Sequence, residues 1–375
     1  MARRLIKFDY VCKCFRVKKI LKHPNQVKYN MTTSSAADKV QQTSKGSKAR
    51  GHYRQHVADL FTPKLSIFIL DFLVSYGLFI VGWYFFHTGS DAVKWAGFAL
   101  GVLAVYRAGL FIHEIVHLPK KKFKPFIVLW NLLYGMPFLL PSFMYESHLK
   151  HHFPRVYGTL SDPEYVVLDG RGLFAQLIFL ILHTVASPLL VIFRFTVVTA
   201  LSLVSAKFRR LSRQRFCALA INASYVDTSK SVDKDKFVNP WEIGSFIVAV
   251  TVITGMVKGF VNPQYVIEFF MMLAAALFIN GIRTLVAHRY ANHELEPLSE
   301  IEQLSDSLNH DGNPIIGELL APVGLRFHGL HHLFPTIPYH NLYEAHRRLM
   351  KELPDDDPYR AINFKSYLGA MWAMK

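Results

Sequence analysis

Eight of the chain's 18 histidines fall in three short strings: His113-Glu-Ile-Val-His117, His148-Leu-Lys-His151-His152 and His328-Gly-Leu-His331-His332. On a helix, positions i, i+3 and i+4 share one face, so each string can aim its rings at one point. Imidazole suits iron, copper, nickel and zinc. A single His-x-x-x-His pair is common by chance, whereas two His-x-x-His-His copies beside one pair are not. The first string also reads His-Glu-x-x-His, a zinc-protease signature with glutamate as base. Eight histidines exceed what one zinc takes, because catalytic zinc commonly uses three protein ligands. They suit two metals with several nitrogens each. A dinuclear site nearly free of carboxylates points to iron and oxygen chemistry rather than hydrolysis.

The elements that must hold these rings are apolar. Of 375 residues, 51% are hydrophobic and 30 are phenylalanine, with mean hydropathy +0.20. This predicts a membrane protein with substantial polar parts. The net charge of +16 accompanies no nucleic-acid-binding motif, so no nucleic-acid partner is expected. Basic loops beside apolar spans fit cytoplasmic retention and anionic headgroups instead. Cys12, Cys14 and Cys217 make no disulfide framework. Residues 1–30 have no cleavable signal pattern, Met31 is a second candidate start, and residues 31–50 read as disordered.

A span needs about 20 apolar residues. Residues 65–86 and 93–112 form one predicted antiparallel hairpin, and 242–261 and 265–287 form another. Two further apolar stretches are interrupted: 125–145 by Gly135, Pro137 and Pro141, and 173–204 by His183, Pro188 and Arg194. These are expected to lie in the interface or to dip part-way. Lys/Arg-rich segments before residue 65, at 119–124 and at 207–215 mark the cytoplasmic side. The expectation is an all-α integral membrane protein with about four transmembrane helices, interfacial segments and a cytoplasmic histidine-rich cap. All three histidine strings then fall on one side.

Other residues have weaker claims. Glu114 is a candidate to orient a ligand, or faces solvent. Asp162 and Glu164 are candidates to hydrogen-bond ligand histidines, or cap a turn. Arg283 and Arg326 sit at the cap–membrane boundary, where a snorkelling arginine is the default and contact with a lipid headgroup, a fatty acyl carboxylate, a thioester phosphate or a lipid phosphate is the alternative. Lys120–Lys122 and Arg209–Arg213 fit ordinary positive-inside charge, or docking of an acidic electron carrier.

The strings "HEIVH", "HLKHH" and "HGLHH", with "HHFPRVYGTLSDPEY", "RTLVAHRYANHELEPLSEIEQLSDSLNH" and "LHHLFPTIPYHNLYEAHRRL" around them, resemble the membrane fatty acid desaturase family over residues 60–350. The resemblance implies a di-iron centre held by His113, His117, His148, His151, His152, His328, His331 and His332. It adds a ninth ligand, His288, with Thr284 where the family has a supporting Asn; His293 is a less favoured substitute. It implies a membrane domain over 61–350, preceded by a basic, largely disordered segment (1–60) and followed by a cap tail (351–375).

The implied activity is O2-dependent desaturation of a fatty acyl lipid or thioester. His328 stands where desaturases acting towards the carboxyl end usually carry Gln, and no His-Pro-Gly-Gly heme motif is present. Electrons are therefore expected from a separate ferredoxin or small cytochrome. The implied location is a bacterial inner membrane or endoplasmic reticulum, with the site on the cytoplasmic face. A related di-iron lipid hydroxylase is the near alternative. An intramembrane zinc protease is the distant one, with Asp311 of "DGNP" as its candidate third ligand. A metal transporter would want such groups inside several spans rather than at one end.

Overall fold

A computed structural model describes residues 50–216, 218–228 and 238–373. Residues 1–49 of the segment expected to be largely disordered (1–60), with Cys12 and Cys14, and also Cys217, lie outside the described residues, whereas residues 50–60 are folded, with Tyr53, Val57 and Leu60 in the cap core. The described structure is helical apart from one parallel pair, β1 (Asn309–His310) and β2 (Asn363–Phe364). The all-α expectation holds.

The first hairpin is α1 (Leu65–Thr88) and α2 (Asp91–His117). Gly89 donates its N–H to Phe85 O at 2.9 Å and closes the end of α1. The two helices cross on glycines. A Cβ on Gly97 would lie 2.7 Å from Phe85 Cβ, and Gly82 rests on Gly101. Small residues let membrane helices approach until their backbones pack. Asp71, an acid inside an apolar helix, is satisfied by Arg107 at 2.6 Å and the Tyr339 hydroxyl at 2.7 Å; such groups in a span need a partner.

Next come α3 (Lys120–Trp130) and a π turn to Gly135, after which Pro137 and Pro141 break the run. As expected, 125–145 is not one long helix. The stretch α4 (Gly172–Val204) differs: it stays helical for 33 residues. His183, Pro188 and Arg194 do not end it, because π turns at Leu182–Ala186 and Arg194–Val198 absorb the irregularity. It is followed by α5 (Ala206–Arg215). The second hairpin is α6 (Pro240–Val257) and α7 (Pro263–Leu285). Both helices begin at Asn-Pro. The Asn239 and Asn262 side chains accept the N–H of Trp241 and Gln264, while each proline fills a position that needs no donor.

Five helices, not four, are therefore long and apolar enough to cross a membrane. In α4, His183 meets Asn280 near the end of α7, at 3.0 Å. Its Arg194 pairs at 2.9 Å with Glu242 in the first turn of α6 and also bonds Phe216 O. Both contacts lie at the ends of α6 and α7 nearest the histidines. The chain is back at the cap by Leu219, whose N–H bonds Met144 O. These contacts tie α4 to the histidine-side ends of α6 and α7, and all five helices are candidate spans, one more than the four expected.

The cap adds α8 (Glu300–Asp306), α9 (Pro314–Leu320), α10 (His328–Leu333), α11 (Tyr339–Glu352) and α12 (Tyr367–Ala373). A reciprocal Ser299/Glu302 capping box starts α8. Below the cap, Phe68, Phe111, Phe126 and Tyr339 meet edge to face, with Phe68 and Tyr339 at 5.0 Å and 88°. This aromatic cluster clamps the histidine-bearing end of α2 to α11. The cap core gathers Leu330, Phe334, Leu342, Leu349 and Tyr359, and Tyr53, Val57 and Leu60 pack into it.

Candidate metal centre

The nine predicted histidines come together in two adjoining groups. His113, His117, His148, His152 and His331 form the first; His151, His288, His328 and His332 form the second. Within each group, one nitrogen from every ring lies within 4.8 Å of all the others. The groups touch: the His152 and His332 rings are 4.3 Å apart.

Each His-x-x-His-His string is split between the groups rather than aimed at one point. His148 and His152 enter the first group and His151 the second; His328 and His332 enter the second and His331 the first. At about 100° per residue, i and i+4 differ by only about 40°, whereas i+3 and i+4 differ by about 100°. The i,i+4 pair shares a target and the i+3 ring reaches the neighbouring one. His113 and His117, with the same spacing at the end of α2, stay together.

The donor set fits metal ions. Nε2 atoms face each other at 2.9 Å (His148–His152), 2.9 Å (His288–His328), 3.1 Å (His151–His288) and 3.2 Å (His152–His331 and His328–His332). Two nitrogens about 2.1 Å from one ion at a right angle stand about 3 Å apart. Both nitrogens of His113 and Nε2 of His117 are buried without any hydrogen-bond partner, a cost that ligation would remove. Burial drives His152, His288, His328, His331 and His332 well below the ordinary imidazole range, and nearby imidazoles push the same way. Their rings are neutral near pH 7, the form that ligates.

Several rings are held from behind. His151 Nδ1 meets both Asp162 oxygens at 2.8 and 2.9 Å. Asp162 is itself fixed by the N–H groups of Gly158 and Glu164. Burial lowers the His151 pKa, but Asp162 outweighs that and raises it. His148 Nδ1 meets Glu164 at 2.9 Å, and Tyr145 donates to the same carboxylate. His288 Nδ1 donates to the Tyr157 hydroxyl at 2.8 Å, which donates to Asp306 at 2.6 Å; Ser307 Oγ lies 3.3 Å from the same nitrogen. The Gln303 amide is 3.1 Å from His332 Nδ1. Such partners set the tautomer and the ring angle.

Three expectations change. Thr284 does not support His288: its hydroxyl accepts from Arg283, and Tyr157 and Ser307 take the supporting place. Glu114 turns from the rings to accept the Tyr339 N–H at 2.9 Å, and its nearer oxygen is 3.8 Å from His113 Nδ1. Asp311 pairs with Lys365 and His346 rather than joining His113 and His117, so the protease arrangement is not formed. His293 is exposed and pairs with Asp169, outside both groups. Tyr157, Gln303, Asp306 and Ser307 were missed by sequence reasoning. No local pattern ties them to histidines up to 131 residues away.

The fatty acid desaturase family matches residues 92–363. A ceramide hydroxylase of Caulobacter vibrioides is 35% identical over 306 residues, covering 80% of this chain and 86% of the relative. No solved structure matches. With the family's match spanning well over half of its length, and with its histidines gathered as described, the chain belongs to the fatty acid desaturase family.

Proposed function

We propose that this chain is an O2-dependent di-iron oxidase of a membrane lipid, in which the nine histidines are the iron ligands. The observation that carries this reading is the pair of adjoining, buried, almost all-imidazole groups at the ends of the membrane helices. His113, His117, His148, His152 and His331 would hold one iron, and His151, His288, His328 and His332 the other. Bound there, the irons supply the one-electron and O2 chemistry that side chains lack.

The chain's own groups do the rest. Asp162, Glu164 and the Tyr157–Asp306 pair keep Nδ1 occupied, so that Nε2 of His151, His148 and His288 faces inward. Tyr145 stacks on His148 at 4.7 Å and 14°, covering that ring. Most of the rings are buried, which protects reactive chemistry from water. A cavity of about 80 Å³ bounded by Glu114, His117, Pro119, Pro335 and Pro338 reaches the first group from outside.

Two outcomes share this machinery. Hydroxylation takes one C–H, O2, two electrons and two protons to an alcohol and water. Desaturation takes two neighbouring C–H bonds with the same reagents to an alkene and two waters. The hydroxylase among the relatives favours the first, on a ceramide-type lipid; the family match equally supports the second, on an acyl chain. A separate ferredoxin or small cytochrome supplies the electrons, and the centre faces the cytoplasm, as the basic loops predict.

The test is mass spectrometry of lipids from a host expressing the chain with an electron donor, against His331→Ala. A product that gains one oxygen supports hydroxylation, and one that loses two hydrogens supports desaturation. Lipids identical in both strains, with iron bound by the wild type, would sink the lipid-oxidase reading.

A further inference from the structure

Arg326 is hard to explain as a structural residue. It is only 3% exposed, so it does not snorkel to water. Its Nε is buried with no hydrogen-bond partner, and Nη1 makes one long bond, 3.4 Å, to Pro314 O. The guanidinium lies against the backbone of Gly317 in α9, where an added Cβ would sit 3.1 Å from Cζ, and 4.8 Å over the Phe327 ring. Among the described residues no carboxylate is within ion-pair distance of it. Glu318 and Asp311 bear on it only from beyond that distance; Glu318 is exposed and Asp311 pairs with Lys365 at 2.7 Å. A buried cation left this way is unfavourable unless something compensates it.

A second arginine nearby is half-buried and lacks a carboxylate partner among the described residues. Arg283, at the end of α7, bonds only neutral groups, Asn280 Oδ1 at 3.1 Å and Thr284 Oγ1 at 3.0 Å. Tyr367 packs against the same Gly317 as Arg326, and the charges of Arg326, Glu318 and Arg283 all bear on its phenol. Its ring stacks on His310 at 4.0 Å, and its hydroxyl is 3.4 Å from Gly317 O. The charge of Arg283 also bears on His288 and His328.

The position of this seam is informative. On one side α9 exposes Ile315, Ile316 and Leu319; on the other α12 exposes Leu368 and Trp372. Short helices with outward apolar side chains and a tryptophan belong at headgroup depth in a bilayer. The two cations therefore lie where a lipid head would stand, with the histidines beside them.

We propose that Arg326 and Arg283, with the Tyr367 hydroxyl, form the headgroup subsite of the lipid substrate, and that the head it takes is anionic, with phosphate-type oxygens. This rests on the lipid-oxidase reading and deepens it. Guanidinium suits such oxygens because its planar donors bind two of them at once. A head held here places the oxidised carbon in the head-proximal part of the chain.

The experiment is binding to the iron-loaded, full chain in neutral detergent, by calorimetry, with dodecyl phosphate and dodecanol as probes. The phosphate should bind about tenfold tighter or more, and Arg326→Gln and Arg283→Gln should each remove most of that preference at unchanged iron content. Arg326→Lys should keep part of it, and together with Arg283→Gln it decides the matter if Arg326→Gln does not fold. Equal affinity for the two probes, or a preference that survives both glutamine variants, overturns the proposal. So does inorganic phosphate binding as tightly as dodecyl phosphate, which would mean a free-anion site. Binding needs no turnover: if the preference holds and no lipid is oxidised, the subsite stands and the proposed reaction falls.

Discussion

The two histidine groups differ less in size than in what stands behind their rings. In the four-membered group, His151, His288 and His332 each have Nδ1 within hydrogen-bond reach of Asp162, Tyr157 or Gln303. In the five-membered group His148 has such a partner, Glu164, whereas Nδ1 of His152 and His331 and both nitrogens of His113 have none. Supporting partners fix ring orientation and raise ligand basicity. The second group is therefore preorganised by the cap, and the first is completed by the metal itself. The rings at the membrane helix α2 are the less constrained ones, beside the cavity that reaches His117.

The largest effects should come from the ligands. His331→Ala and His332→Ala change adjacent residues that face different groups. Each should lower product formation by more than the ~10–100-fold that losing a supporting partner costs. Each should also cost about half of the bound iron, because a ligand lost weakens one ion rather than both. Iron analysis with Mössbauer spectra distinguishes the two ions; identical residual spectra would break the assignment of rings to groups.

Next in size is Asp162→Asn. It should weaken one iron about 10–100-fold and leave the other near its wild-type affinity. Metal titration of the refilled protein checks it, and equal weakening of both ions would erase the contrast. Chelator treatment sharpens the same point in the wild-type protein. Iron should leave in two phases, the five-membered group first, and Asp162→Asn should draw the phases together.

A smaller change is expected from Tyr157→Phe. It leaves His288 and Asp306 each short of a buried hydrogen bond, at a cost of about 1–3 kcal/mol. A thermal melt of the iron-loaded protein should show it, and Tyr145→Phe in the first group should cost less because that hydroxyl supports Glu164 only. At the bottom of the scale is His293→Ala, within ~0.5 kcal/mol and at full iron content, because this exposed ring belongs to neither group. A loss of iron there would show that a ring outside both groups matters.

Much of this protein was legible before folding was considered. Helix-spanning hydropathy marked α1, α2, α6 and α7. The i, i+3, i+4 spacing singled out eight histidines, and the family resemblance added His288. These are local properties: a helix repeats every few residues, so neighbours in the sequence report its faces and its ends. Only the tertiary structure decided that each His-x-x-His-His string serves two groups, that α4 runs unbroken through Pro188, and that Tyr157 and Asp306 stand behind His288. Those outcomes depend on where separate helices come to rest, and contacts such as Tyr157 with His288 join residues 131 positions apart. The same holds for Arg326: its sequence position marked a boundary residue, but only packing beneath α9 removed the water that an arginine there would otherwise reach.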